Sequence, residues 1–254
     1  MAVSPIDTLC LLPDLDGGGA QRTLINLAGA FDRTRIAPRL MALRGGGPAQ
    51  AWIQPSIPVE ILGAARTRTA LPALVRALRR QPPQALLATM VDANILAWLA
   101  VKALAPRPPL ILRETNSHRA RGDLGSFRRA LIARAYRTAD RVVALSEGVR
   151  RELIEDYGLD PARCVTLHNP VTLPDPAAPA PPRPAAMPPE PCLVAAGRLT
   201  RQKNFPLLLD ALAAAETAPR LAILGEGPDR AALEAQAARL GIADRVSLPG
   251  FVAE

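Results

Sequence analysis

A chain of 254 residues, 49% apolar and 21% charged, has the composition of a globular protein with room for two ordinary α/β domains, and with 3% aromatics its core must come from Leu, Ala, Val and Ile. The formal charge of +8 is uneven: residues 1–170 hold 23 Lys and Arg against 14 Asp and Glu (+9), residues 171–254 hold 8 against 9 (−1), and only Lys102 and Lys203 are lysines, so the basicity reads as compositional bias and no nucleic-acid partner is expected. Cys10, Cys164 and Cys192, without a CxxC spacing, argue against a disulfide framework or a metal site, and no apolar run reaches the roughly 18 residues of a spanning helix, which leaves a cytoplasmic protein that meets a membrane only at its inner face.

In chain order, short apolar runs alternate with helical periodicity. Asp7–Leu12 reads as a strand, Ala20–Phe31 as a helix and Ile36–Leu43 as a strand. The strand Val59–Ile61 precedes the helix Leu71–Arg80, Ala85–Ala88 precedes Asp92–Leu104, and Leu110–Arg113 precedes Ser126–Ala135. Arg141–Leu145, the helix Glu147–Tyr157 and the strand Cys164–Leu167 follow. Such alternation predicts a parallel sheet covered on both faces. Asp92 and Ser146 are expected as N-caps, and Gly45–Gly47 as a loop. Over Pro174–Pro191, nine of 18 positions are proline, which favours an extended linker. Beyond it come Leu193–Ala196, Phe205–Ala215, Arg220–Leu224, Asp229–Leu240 and Arg245–Leu248. Three strands are fewer than the five or six of a doubly wound domain, so the expected layout is a first domain over 1–172, a linker over 173–191 and an incomplete second domain over 192–254 whose last strand is an edge.

Three strand-to-helix turns carry candidate chemistry. In Leu12-Pro-Asp-Leu-Asp-Gly-Gly-Gly-Ala-Gln-Arg22, Gly17, Gly18 and Gly19 open a helix whose first N–H groups suit phosphate oxygens, although a plain flexible turn explains three glycines as well. In Ala195-Ala-Gly-Arg-Leu-Thr-Arg-Gln-Lys-Asn204, Arg198 and Lys203 leave the carboxyl end of a strand beside Gly197, a fork donor and a point charge suited to a diphosphate, or else an ordinary solvated loop. Leu221-Ala-Ile-Leu-Gly-Glu-Gly-Pro228 again places glycines after a strand, where backbone can approach a nucleotide.

Taken together with Leu240-Gly-Ile242, Arg245-Val246 and Pro249-Gly-Phe-Val252, these segments resemble the nucleotide-binding domain of family 4 retaining glycosyltransferases. Gly17-Gly-Gly-Ala-Gln-Arg22, Ala139-Asp-Arg-Val-Val-Ala-Leu-Ser-Glu-Gly-Val149 and Asn169-Pro-Val171 resemble segments of the same family's N-terminal domain. The resemblance implies a GT-B fold of two Rossmann-like doubly wound domains, the second incomplete here. It also implies a hexosyltransferase that takes a UDP- or GDP-linked sugar as donor, needs no cofactor or metal, and transfers with retention to a polysaccharide or lipid-linked acceptor. On that resemblance Arg198 and Lys203, with Gly17, Gly18 and Gly19, hold the donor diphosphate, and Gly197, Gly225, Gly227, Phe251 and Val252 line the nucleotide. The family's Glu-x7-Glu motif lies beyond the Pro-Gly-Phe segment and is not within residues 1–254, so this chain is expected to be truncated and inactive; the alternative is a non-catalytic nucleotide-sugar binder that docks with a chain supplying the missing half.

The family often sets a histidine near the reacting sugar. His118, in Arg113-Glu-Thr-Asn-Ser-His118, is the expected sugar contact or base, with a solvated loop histidine as the competing reading; Glu114 and Asn116 are expected to bind acceptor hydroxyls. His168 is expected to be structural. The helix Ser126–Arg137 places Arg128, Arg129, Arg134 and Arg137 among Phe127, Leu131, Ile132 and Tyr136, a pattern able to rest on anionic lipid or simply to present a solvated face.

Overall fold

The computed structural model describes residues 4–121, 125–171, 191–217 and 219–252, together with 179, 183–184 and 187–189. Most of the expected proline-rich linker lies outside the described residues. The chain divides into two compact units, Met1–Thr172 and Leu173–Glu254, each with its own parallel sheet.

The first unit holds seven strands: β1 (Ile6–Leu12), β2 (Ile36–Ala42), β3 (Val59–Ile61), β4 (Ala85–Thr89), β5 (Leu110–Glu114), β6 (Arg141–Ala144) and β7 (Cys164–Thr166). Their order is β3-β2-β1-β4-β5-β6-β7. The helices are α1 (Gly19–Ala30), α2 (Leu71–Arg80), α3 (Val91–Val101), α4 (His118–Arg121), α5 (Ser126–Thr138) and α6 (Glu147–Tyr157). The sheet grows outward in one direction through β2 and β3 and in the other from β4 onward. The crevice at the carboxyl ends of β1 and β4 is therefore the switch point where open α/β sheets bind ligands.

Strand alternation sorts the core into two layers. Leu9, Leu11, Leu86, Ala88, Leu110 and Leu112 join Leu74 and Leu78 of α2, Trp98 of α3 and Tyr136 of α5; Cys10, Leu12, Leu40 and Leu87 join Leu24, Ile25 and Ala28 of α1. Each large side chain so buried contributes about 1.5–3 kcal/mol. Burial also pushes the Cys10 thiol up to about 12, which keeps it protonated and unreactive.

One local expectation is corrected. Asp92 does not cap α3: the helix begins at Val91, Met90 occupies the N-cap position, and Asp92 pairs instead with Arg128 Nη2 of α5 at 2.6 Å. Gly45–Gly47 is a loop, as expected, and it leads into a 3-10 turn, Pro48–Trp52. A Cβ on Gly47 would lie 2.4 Å from the Leu15 carbonyl, so the two segments need glycine to approach. Ser146 does cap α6, its hydroxyl accepting the Val149 N–H at 3.2 Å.

The second unit holds β8 (Cys192–Ala196), β9 (Arg220–Leu224) and β10 (Val246–Gly250) in the order β10-β9-β8, with α7 (Phe205–Ala214) and α8 (Arg230–Arg239). Leu221 and Ile223 of β9 pack on Leu209 and Leu212 of α7 and on Leu233 and Ala237 of α8. The register pairs Val194 with Ala222 on the opposite face, where Val194 is 53% exposed. Among the described residues β8 and β10 pair only with β9.

Candidate functional site

The turn after β1 is fixed by a buried carboxylate. Asp14 accepts from Gln21 Nε2 at 2.7 Å and from Arg44 Nη2 at 2.5 Å, and Arg44 reaches Asp16 at 2.9 Å as well. Burial alone would raise the Asp14 pKa, but the hydrogen bonds from Arg44, Gln21 and the Asp16 N–H outweigh it and hold the carboxyl below its ordinary value. Of the three glycines, Gly17 has a structural reason to be glycine: its φ is +90° and a Cβ would press on Pro48 at 3.3 Å. A Cβ on Gly19 would meet nothing within 4 Å. No side chain caps α1 after Gly18, so the first-turn N–H groups stay available to an anion.

Across the switch point, Met90 adopts φ +75° and ψ +142°, a combination that costs a non-glycine residue about 1–3 kcal/mol. The bend turns the uncapped start of α3 toward the crevice. There a cavity of about 310 Å³ is lined by residues that include Asp14, Arg44, Met90, Asp92, Glu114 and Asn116. Backbone strain of this kind concentrates where a ligand is held.

The loop leaving β5 is tied down by two carboxylates. Glu114 is 1% exposed; its Oε1 accepts the N–H groups of Thr115 at 2.8 Å and Asn116 at 3.1 Å, and its Oε2 accepts the Tyr136 hydroxyl. His118 Nε2 lies 3.0 Å from that Oε2. Glu152 of α6 accepts from the Ser117 hydroxyl at 2.6 Å and from the His118 and Arg119 N–H groups at 2.7 and 3.0 Å. His118 Nδ1 is 2.6 Å from the Tyr157 hydroxyl, and the Tyr157 ring meets the imidazole edge-on with centroids 5.3 Å apart. Burial acts on Glu114 to raise its pKa, but the neighbouring His118, Tyr136 and Asn116 reverse this and leave it below the ordinary range. Burial, then the Glu114 charge, pushes Tyr136 well above its ordinary value.

This geometry bears on two sequence expectations. His118 is 6% exposed, which corrects the reading of a solvated loop histidine, and it is not among the residues lining this cavity. Glu114 and Asn116 both line the cavity; both Glu114 oxygens already hold donors, and Asn116 Nδ2 donates to the Thr115 hydroxyl at 3.0 Å. His168 is exposed, with Nδ1 3.0 Å from the Leu145 carbonyl, and next to it the Asn169 side-chain oxygen accepts from Arg113.

In the second unit the loops after β8, β9 and β10 interlock. Gly197 N–H donates to the Leu224 carbonyl at 2.9 Å, Leu199 N–H to Glu226 at 2.9 Å and Gly225 N–H to Gly250 at 2.7 Å. A Cβ on Gly225 would lie 2.1 Å from the Gly197 carbonyl, and one on Gly227 2.2 Å from the Leu199 carbonyl. These two glycines are therefore required by backbone packing, whatever else lies nearby. The Lys203 stem crosses Gly197, its Cε 3.2 Å from where a Cβ would stand. Arg198 and Lys203 are exposed, and among the described residues neither side chain has an acidic or hydrogen-bonding partner. Asn204, with φ +51°, turns the chain into α7, whose first turn again lacks a side-chain cap. Phe251 stands 71% exposed just beyond β10. Among the described residues no group of three His, Cys, Asp or Glu side chains is arranged to hold a metal ion.

Residues 17–173, more than half of the chain, match the family model described as Glycosyltransferase Family 4, and residues 182–254 match the one described as Glycosyl transferases group 1. The chain belongs to Glycosyltransferase Family 4. It is 31% identical over 121 residues, 48% of its own length, to the N-acetylgalactosamine-N,N'-diacetylbacillosaminyl-diphospho-undecaprenol 4-alpha-N-acetylgalactosaminyltransferase of Campylobacter jejuni, and spans 33% of that relative. Among solved structures it is similar to Anabaena HepE in complex with UDP and glucose (TM-score 0.78, 18% identity, 98% of this chain and 70% of that one). It is also similar to the apo lipopolysaccharide outer core galactosyltransferase WaaB (TM-score 0.65, 20% identity, 97% and 68%). At these identities the likeness shows the GT-B fold class, two Rossmann-like α/β units, which matches the fold expected from the sequence.

Sequence reasoning missed Arg44, Met90, Glu152 and the pair Tyr136 and Tyr157. One signal was at hand for the tyrosines: they are the only two in the chain, and both pack on His118. Nothing in the local sequence marks Met90.

Proposed function

We propose that this family 4 protein binds a UDP- or GDP-linked sugar and transfers the sugar, with retention of anomeric configuration, to a polysaccharide or lipid-linked acceptor at the cytoplasmic face of a membrane. The observation that carries the reading is the pair Arg198 and Lys203, two exposed cations without partners among the described residues, at the carboxyl end of β8 and ahead of the uncapped start of α7. Exposed cations held side by side lower the free energy of an anion placed between them. As the bond between the sugar and the diphosphate breaks, negative charge grows on the leaving oxygen. Arg198 offers a planar fork to two oxygens and Lys203 a compact charge, so both stabilise the departing diphosphate more than the bound donor. Gly197 keeps the space beneath the Lys203 stem, and Gly17, Gly18 and Gly19 with the first turn of α1 are assigned to phosphate oxygens as well. Phe251 and Val252 are assigned to the nucleotide, and Asn116 to an acceptor hydroxyl.

HepE of Anabaena is described in complex with UDP-glucose, which supports a nucleotide-sugar donor by analogy of fold. Titration calorimetry with UDP, GDP and their sugars tests the reading. Micromolar to millimolar binding of one nucleotide, weakened about tenfold or more by Arg198→Ala with Lys203→Ala, is the expected result. Equal affinity in the wild type and the double variant removes the clamp from the proposal.

A further inference from the structure

Arg230, the first residue of α8, reaches two of the loops that interlock in the second unit. Its Nε and Nη2 donate to Glu226 Oε2 and Oε1 at 3.0 and 2.5 Å, a fork-to-carboxylate pair with the loop after β9. Its Nη1 donates to the Leu248 carbonyl at 3.0 Å and to Glu234 Oε1 at 3.2 Å. The sheet register explains why that carbonyl is open to a side chain. Ser247 pairs with Ala222 and Gly250 with Leu224, so β10 holds one residue more than β9 over this stretch, and Pro249 within it has no N–H. A bulge re-aims the chain that follows it. Here Gly250 follows, with φ +89° and a Cβ position only 2.8 Å from Glu226 Oε1, and then the exposed Phe251.

Glu226 also faces the other way. Its backbone carbonyl accepts the N–H of Leu199, the neighbour of Arg198, at 2.9 Å. Arg230 therefore stands in a chain of contacts that runs from the loop bearing Arg198, through Glu226, to the segment bearing Phe251. Both carboxylate partners of Arg230 are more than half exposed, and ion pairs at the surface stabilise a fold little. The rigid fork of the guanidinium supplies position instead, which a flexible ammonium or a neutral amide does less well.

We propose that Arg230 is a positioning residue for the donor: it holds the Leu248–Phe251 segment at a fixed reach from Arg198 and Lys203, so that one nucleoside diphosphate meets the segment with its nucleoside and the cations with its phosphates. The assignment rests on the transferase reading, which gives the diphosphate to the two cations and the nucleotide to Phe251, and it adds what keeps those two contacts in step. Arg230 acts through Leu248 and Glu226 and needs no contact with the ligand. Contacts held at the right spacing before binding spare the ligand the cost of ordering the loops.

The test titrates UDP, GDP and inorganic pyrophosphate into the full 254-residue chain by calorimetry. Pyrophosphate engages the cations alone, so the ratio of nucleotide to pyrophosphate affinity reads the spacing and not the clamp. The wild type is expected to prefer one nucleotide over pyrophosphate. Arg230→Gln should cut that preference about tenfold, and Arg230→Lys, which keeps one charged donor, should cut it less. Glu234→Gln leaves the contacts to Glu226 and Leu248 in place and should not change it. Pyrophosphate affinity should hold within about twofold in all three variants, a result that an unfolded second unit could not give. An unchanged ratio in Arg230→Gln, or a loss that falls equally on pyrophosphate, overturns this inference and spares the donor clamp. A wild type that binds pyrophosphate as tightly as either nucleotide removes the assignment of Phe251 to the nucleotide, and this inference with it. A wild type that binds none of the three removes the clamp as well.

Discussion

Two loops at strand carboxyl ends, one in each unit, solve opposite problems. The loop after β5 turns its polar groups inward: Glu114 and Glu152 collect six donors between them, and His118 is wedged between two tyrosine hydroxyl-bearing rings. The loop after β8 turns Arg198 and Lys203 outward and satisfies its backbone by pairing with the loops after β9 and β10. Buried polar groups are costly unless partnered, and this loop answers most of its own, with His118 Nε2 left as a buried nitrogen without a hydrogen bond. Unpartnered charge exposed to water costs the fold little and stays available to a ligand. We propose that the more conspicuous constellation in the sequence, Glu114 to His118, serves first to brace its loop, and that the plainer pair of cations is the better candidate for holding the donor.

The comparison is broken most severely at Glu152. Glu152→Ala leaves the Ser117 hydroxyl and two backbone N–H groups without their acceptor, and a loss of about 3 kcal/mol or more is expected in urea unfolding of the first unit. Next comes Gly227→Ala, whose Cβ would press on the Leu199 carbonyl; about 2 kcal/mol of destabilisation confined to the second unit is expected, read by hydrogen exchange at β8 and β9. A pH titration sharpens the contrast. Glu114 has its pKa lowered in the folded chain, so its contribution is complete above the ordinary carboxylate value of about 4.3 and is lost as pH falls through the lower folded value. Glu114→Gln should flatten the fall of stability in that acid range by a slope of up to about 1.4 kcal/mol per pH unit, whereas Arg198→Ala should leave the profile unchanged. Ser146→Ala, loss of a single helix cap, is expected to cost about 1 kcal/mol in the same unfolding experiment.

Much of the fold was legible because its signals are local. Alternating runs such as Leu9 to Leu12 and Leu86 to Ala88 place side chains on two faces, and each strand expected from the sequence forms within one or two residues of its bounds. The cap at Asp92 failed because the short polar side chain found a better partner in Arg128, while the strained Met90 took the N-cap position. Site roles were harder to read. A carboxylate beside a histidine looks alike in sequence whether it faces a cavity or a core, and the deciding partners, Tyr136, Glu152 and Tyr157, lie 22 to 39 residues away along the chain. Gly225 and Gly227 are ambiguous in a similar way, since glycine needed for a neighbouring loop's carbonyl reads the same in sequence as glycine needed for a nucleotide.

The central claim is that the outward-facing cations of the second unit, not the inward-facing loop of the first, hold the donor. Calorimetric titration of UDP and GDP into the wild type, the Arg198→Ala, Lys203→Ala double variant and Asn116→Ala tests it directly. The account predicts a loss of about tenfold or more for the double variant, with an unchanged thermal melt, and unaltered nucleotide affinity for Asn116→Ala. Unaltered affinity in the double variant together with a loss in Asn116→Ala would contradict it.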